Sequence, residues 1–345
     1  IFGAVIAGLA AGLIIGWVTE YYTSDEYYPT RHIAEQSQTG AATNIIDGFS
    51  TGMLSAGFPV VAIVAGLVAA FGLAGGFDNV SMGLYGVGFA SVGLLSTLGI
   101  TLATDAYGPI ADNAGGNVEM NNLPSEVRER TDALDQIGNT TAATGKGFAI
   151  GSAALTALAL LSAYLEEVRL WIGKLANQAE QGFFQVGKVK FYNLLPEGIS
   201  ESRYDVVART AEVSDFMRAY DVTLMNPLVM GGIFLGAIMA FVFSALCMKA
   251  VGRSANEMIN EVRRQFSEKP GILEGTEKPD YARCVEISTR GAQKEMILPS
   301  LLAVVIPVLV GLLFGVPGVL GLLAGGLTGG FALACTLNNA GGAWD

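Results

Sequence analysis

Charged side chains are scarce in this chain of 345 residues, at 15% of the total, where a soluble domain carries about 25%. A soluble globular fold is disfavoured from the outset. Cysteine is nearly absent: Cys247, Cys284 and Cys335 lie far apart, with no C-x-x-C pair. That excludes a disulfide framework and a structural zinc site. The one histidine, His32, sits in a polar loop and reads as a solvated or capping residue. A phosphate-binding nucleotide loop is missing too. Gly145-Lys146 lacks the upstream glycine of G-x-x-x-x-G-K and follows no strand pattern. With a net charge of −11, no nucleic-acid partner is expected.

Hydrophobic residues dominate what remains, at 51%, with a mean hydropathy of +0.47 and 45 glycines. Small residues let transmembrane helices approach closely, where lipid supplies no hydrophobic drive between them. A span needs about twenty mostly apolar residues. Runs that qualify are 1–18, 49–74, 80–104, 147–165, 227–251, 297–314 and 316–337. The fold class expected is therefore all-α, a polytopic bundle of about seven spans forming a single transmembrane domain over 1–345. Asn226-Pro227 suits the start of the fifth span, because proline is tolerated in a helix's first turn. The turn at 314–316 between the last two spans is very tight. The chain opens inside an apolar run without methionine and stops inside a motif, so it is expected to be an internal piece of a longer protein.

Alternating the loops across these spans gives two sets. Loops 19–48, 105–146 and 249–296 hold 13 lysines and arginines, and loops 75–79 and 166–226 hold 7. The positive-inside rule places the first set in the cytoplasm. The non-cytoplasmic loop 166–226 opens with an amphipathic pattern around Leu170, Trp171 and Leu175, as expected of a helix lying along the interface. In the cytoplasmic loop 249–296, Arg253, Arg263 and Arg264 are placed to meet lipid headgroups or acidic neighbours. An internal echo links Asp112-Asn-Ala-Gly-Gly116 with Asn338-Asn-Ala-Gly-Gly342, each just past an apolar helix. Matching groups at matching helix ends are a feature of transport folds.

The chemistry concentrates in the cytoplasmic stretch 104–147. Asp105, Asp112 and Glu119 recur every seven residues, close to two helical turns, so they could share a face that Pro109 and the glycine pair bend. Asp132, Asp135 and Asn139, three and four apart, share another. Lys146 continues on that side. Carboxylates without histidine or cysteine suit hard cations such as magnesium, which keeps waters and phosphate oxygens in its shell. A lysine adds a point charge for phosphate. Glu119, Glu126, Glu129 and Asp132, mixed with Arg128 and Arg130, fit better as a solvated loop. Asp105, Asp112 and Asn139 lie near span ends, where polar groups are costly and usually functional.

The motifs Asp105-Ala-Tyr-Gly-Pro-Ile110, Asp112-Asn-Ala-Gly-Gly116, Asp132-Ala-Leu-Asp135, Gly138-Asn-Thr-Thr141 and Gly145-Lys-Gly-Phe-Ala-Ile-Gly-Ser152 stand in this order. With Glu20-Tyr-Tyr-Thr-Ser24, Gln38-Thr-Gly-Ala-Ala-Thr-Asn44 and Asn339-Ala-Gly-Gly-Ala-Trp-Asp345, the chain resembles the membrane-bound, ion-pumping pyrophosphatases along its whole length. The resemblance implies a homodimer of sixteen-helix subunits, of which this chain matches helices nine to fifteen. It implies pyrophosphate hydrolysis at the cytoplasmic end of the bundle, coupled to export of sodium ions, protons or both. Ligands of the magnesium–pyrophosphate complex fall at Asp112, Asn139 and Asp345, with Asp105 in the same motif. Potassium dependence is set at Ala142 and Gly145, with Lys146 beside them as charge support for phosphate. Potassium-independent members carry lysine at the position of Ala142, so alanine implies bound potassium. The nucleophile-orienting aspartates and the ion gate fall outside this chain, which is expected to be inactive alone. The wording of 138–163 is closer to bacterial sodium pumps, implying a multi-pass protein of the bacterial inner membrane. Composition and spans fit a non-enzymatic cation-coupled secondary transporter equally well; only the motifs separate the two.

Overall fold

The computed structural model describes residues 1–345. Six helical stretches are long and apolar enough to cross a membrane: Phe2–Gln36, Ala41–Leu73, Val80–Met120, Ser125–Gln178, Pro227–Glu268 and Tyr281–Trp344. The last contains a break. Gly315 has φ 63° and ψ −159° inside an otherwise helical run, a backbone that only glycine adopts without strain. A Cβ on Gly311 would lie 3.4 Å from the Val319 side chain, although eight residues of straight helix rise about 12 Å. The chain therefore folds back at Gly315, and the six stretches contain the seven apolar runs.

The chain divides into two compact units. The first comprises 1–223 and 330–345, the second 224–329. In the first unit, α1 (Phe2–Thr23) packs on α4 (Gly57–Leu73), α5 (Val80–Leu95) and α8 (Ser125–Gln178). The two short helices α2 (Tyr28–Gln36) and α3 (Ala41–Ser55) follow α1. Between α5 and α8 the chain forms α6 (Leu98–Asp105) and α7 (Gly108–Met120). The glycine content finds its use here. A Cβ on Gly8 would sit 1.9 Å from the Ala90 carbonyl oxygen, and one on Gly93 2.2 Å from that of Val5. The α1 and α5 backbones thus touch, which any larger residue would prevent. Polar contacts inside the apolar region are satisfied locally, as between the Ser91 and Thr156 hydroxyls at 2.6 Å.

Helix α8 has 54 residues, about 81 Å at 1.5 Å per residue, against a hydrocarbon core of about 30 Å. It carries a polar N-terminal part, the apolar run 147–165, and a C-terminal continuation to Gln178. The separate interfacial helix expected after 165 is thus the last turns of α8. Ile172 and Ala176 are buried there, while Leu170 and Trp171 stay exposed. Loop 166–226 also holds a small sheet that the all-α expectation omits. Strand β1 (Phe183–Val186) pairs antiparallel with β2 (Val189–Tyr192), and β2 runs parallel to β3 (Asp205–Val207). Gly187 at φ 56° makes the two-residue turn with Lys188. Phe191 stacks on Phe216 of α9 (Val213–Ala219) at 5.4 Å. These strands leave the bundle's class unchanged.

The second unit holds α10 (Pro227–Glu268), α11 (Tyr281–Glu295) and most of α12 (Ile297–Trp344). Pro227 opens α10 as expected, with the Asn226 side chain accepting from the Leu228 amide at 2.9 Å. Beyond the Gly315 break, α12 lies against α10 with backbone contact. A Cβ on Gly236 would meet the Leu322 carbonyl oxygen at 2.0 Å. The charged end of α10 is tied to the start of α11 through Gln265. Its amide donates to the Asp280 carbonyl at 3.1 Å and its oxygen accepts from the Asp280 amide at 2.7 Å.

Candidate functional site

Three segments converge on the polar N-terminal part of α8. The first is α7. A Cβ on Gly138 would lie 2.8 Å from the Gly108 Cα, so the two helices cross at a glycine pair, and Asp112 sits one turn beyond the crossing. The second is the end of α12. Asn338 Nδ2 donates to the Ala143 carbonyl at 2.9 Å, Asn339 Nδ2 to Ser55 Oγ at 2.9 Å, and Trp344 Nε1 to the Asn44 carbonyl at 3.3 Å. A Cβ on Gly342 would come within 2.8 Å of the Ala143 side chain and 3.0 Å of Thr23. This close seating brings Asp345 beside Asn139. The third is the end of α1, where Thr140 Oγ1 donates to the Thr23 carbonyl at 3.4 Å. Both copies of the echoed motif therefore dock on the same helix.

Two clefts flank this junction. One, of about 460 Å³, is lined by Asn139, Ala142, Lys146, Asn338 and Asp345 among others. The other, of about 370 Å³, is lined by Thr23, Asp25, Asn44, Gln136, Asn139 and Asp345 among others. Asn139 and Asp345 line both. Between α7 and the chain end lies Asp135, ahead of the apolar run. Its carboxyl is pushed above the ordinary aspartate range, first by burial and then by the charges of Asp112 and Asp345, with hydrogen bonding from Asn139 pulling the other way. Its Oδ1 is buried and has no hydrogen-bond partner. An orphaned buried carboxylate oxygen among like charges calls for a cation or a proton.

The remaining candidates are placed as follows. Asp112 is exposed, and its charge reaches Asp135. Asp105 ends α6, is half-buried and lines neither cleft. Gly145 is buried, with a Cβ position 3.3 Å from Thr101, whereas Ala142 and Lys146 open onto the first cleft. The seven-residue series does not form one continuous face. The helix breaks at Ala106–Tyr107, and Glu119 pairs instead with Arg128 at 2.7 Å. Arg128 also binds Asp132, at 2.7 Å, and Arg130 binds Glu126, at 2.6 Å, as a solvated loop would. His32 pairs with Asp47 at 2.9 Å. Asp135 was legible as part of the 132–135–139 face, but the spacing could not distinguish it from Asp132.

Magnesium can be tested against these residues. No three His, Cys, Asp or Glu side chains gather into a ready metal cluster. Magnesium does not need one, because it is held by one or two carboxylates while water and phosphate complete its octahedron. Hard oxygen donors and the orphaned Asp135 Oδ1 match that requirement.

A protein-family description, Inorganic H+ pyrophosphatase, matches residues 1–345. A Bacteroides thetaiotaomicron protein named a putative K(+)-stimulated pyrophosphate-energized sodium pump is 59% identical over 345 residues, 99% of this chain and 44% of that protein. A Clostridium tetani protein of the same name is 48% identical over 344 residues, 100% of this chain and 44% of that protein. A Methanosarcina mazei protein named a K(+)-insensitive pyrophosphate-energized proton pump is 44% identical over 344 residues, 100% of this chain and 44% of that protein. The chain thus spans less than half the length of these relatives.

Proposed function

The chain belongs to the inorganic H+ pyrophosphatase family, and from that premise we propose that it forms part of a multi-pass membrane pump that hydrolyses pyrophosphate and exports sodium ions, protons or both. The observation that carries this reading is the Asp135 carboxyl, hydrogen-bonded by Asn139 and raised by burial and by the charges of Asp112 and Asp345, with a buried Oδ1 that has no partner. Like charges brought together without cations destabilise a site by themselves. Such a site is stabilised by the ligand it awaits.

Asp112, Asn139 and Asp345 would hold magnesium, with Asp135 adding a fourth oxygen donor. When bound, the metal offsets phosphate charge and lowers the pKa of coordinated water. The chain's own residues do the rest. Asn139 and Asp345 face both clefts and fix where the substrate can lie. Lys146, on the same wall, meets phosphate as a point charge. Ala142 leaves room there for a potassium ion in place of a fixed ammonium, in keeping with the names of the two Bacteroides and Clostridium relatives. Aspartates on the part of the relatives' length that this chain does not span would orient the attacking water. The active unit is proposed to be a homodimer in a bacterial inner membrane.

The test is phosphate release by the full-length protein in lipid vesicles. Hydrolysis is expected only with magnesium, faster with potassium, and accompanied by ion accumulation. Magnesium-independent hydrolysis, or solute uptake indifferent to pyrophosphate, would count against it.

A further inference from the structure

The short helices α2 and α3 wall the cleft of about 370 Å³ through Ile33, Ala34 and Asn44, and Asn139 and Asp345 line the same space. Helix α3 also seats the chain end. The Trp344 indole donates to the Asn44 carbonyl, and a Cβ on Gly48 would lie 2.1 Å from its Nε1. The ring thus rests on the α3 backbone, one residue before Asp345. A shift of α3 moves the seat of a proposed magnesium ligand.

What holds α3 is α2. Thr30 Oγ1 donates to the Tyr22 carbonyl at 3.3 Å and Arg31 Nε to the Asp25 carbonyl at 2.7 Å, which fastens α2 to the end of α1. Two contacts then reach α3. Asn44 Nδ2 donates to the Ile33 carbonyl at 3.0 Å. His32 Nδ1 meets Asp47 Oδ2 at 2.9 Å, beside Gly48. Gln36 Nε2 lies 3.3 Å from His32 Nε2, and an amide donating there leaves the ring proton on Nδ1 for Asp47. Tyr28 packs on the imidazole, with ring centroids 5.3 Å apart. The two partners are 32% and 20% exposed, so water screens this pair less than a fully exposed one. Neither lines the cleft.

We propose that His32 and Asp47 are positioning residues for the pyrophosphate site. Their hydrogen bond fixes α3, and with it Trp344 and Asp345, beside Asn139. This inference rests on the pump reading above and names two further residues on which substrate affinity depends.

The experiment measures kcat and KM for magnesium pyrophosphate in the full-length protein, with calorimetric affinity beside them. His32→Leu and Asp47→Ala break the bond and should raise KM about tenfold, with kcat within about twofold. Gly48→Ala, which displaces the indole without touching the pair, should do the same. His32→Asn puts an amide nitrogen where Nδ1 stood, and Asp47→Asn keeps an acceptor. Both should hold KM within about twofold of the parent. A tie that serves only folding gives another pattern: fewer folded molecules lower kcat and leave KM unmoved. That pattern overturns the proposal. So does a Gly48→Ala protein with the parent's KM, even where His32→Leu fails to fold, and so do Asn variants that lose as much as the disruptive ones. A parent that neither binds nor hydrolyses magnesium pyrophosphate removes the pump reading and this inference together. A parent that does both, beside unchanged variants, removes this inference alone.

Discussion

Two polar regions border the apolar core, and they handle charge in opposite ways. At the charged end of α10 and along α11, carboxylates meet arginines. Glu261 binds Arg264 at 2.7 Å, Glu295 binds Arg253, and Glu286 takes both Arg283 and Arg290. Along the N-terminal part of α8, Asp135 meets the charges of Asp112 and Asp345, and Arg128 is engaged by Glu119 and Asp132. Residue counts do not separate the two regions. Pairing does: a charge that is already compensated holds the fold, and one left uncompensated waits for a ligand.

The sharpest way to break this comparison is to delete one charge from each region of the full-length protein. Asp112→Ala or Asp345→Ala should lower magnesium-dependent hydrolysis by about 100-fold or more, with the bundle still eluting and melting as folded. Arg283→Ala removes an exposed ion pair worth about 1 kcal/mol at most. Its turnover should stay within about twofold of the parent, since that pair lies outside the proposed chemistry. Equal losses from both kinds of variant would erase the distinction.

Next in size is Asp135→Asn, which removes the carboxylate that the charges of Asp112 and Asp345 oppose. Magnesium affinity should weaken by about tenfold or more, while the metal-free protein becomes more stable. The sign follows from the raised carboxyl. A folded-state pKa above the unfolded one means that stability is complete at low pH and is lost as pH rises from the ordinary aspartate value through the raised one. Melting of the metal-free parent across that window should show the loss, and Asp135→Asn should flatten it.

A third change exchanges the proposed bound cation for a fixed one. Ala142→Lys places an ammonium on the cleft shared with Lys146, Asn139 and Asp345. Potassium stimulation should disappear while turnover without potassium rises; stimulation that survives would remove Ala142 from the potassium account.

The smallest expected effect lies in the paired region. Glu261 is held down to about 2, chiefly by the Arg264 guanidinium and then by the Gln265 amide. A depressed carboxyl contributes stability above its unfolded value of about 4.3, and loses it as pH falls toward the folded one. Melting temperature should fall across that acid window, and Glu261→Gln should remove this part of the dependence.

Much of this could be read before the fold was known, because lipid imposes a simple code. The seven apolar runs are helical, with 49–74 divided between α3 and α4 and 80–104 between α5 and α6, and Asn226-Pro227 starts one of them. Asn139 and Asp345 do meet at one cleft. What stayed illegible depended on which way a face turns. Asp132 and Asp135 share a spacing, yet Arg128 takes one, while the other keeps a buried Oδ1 without a partner. The break at Ala106–Tyr107 interrupts a series that looked continuous in the residues alone. The sheet at 183–207 is formed by strands of four residues or fewer, too short to leave a clear period beside a 54-residue helix.

Calorimetry of pyrophosphate binding to the full-length protein tests the central claim most directly, run with and without magnesium and repeated on Asp345→Asn. Binding that requires the metal and is lost in the variant is the predicted result. Equal affinity in its absence, or a variant that binds like the parent, would show that Asp112, Asp135 and Asp345 do not grip a metal-neutralised anion.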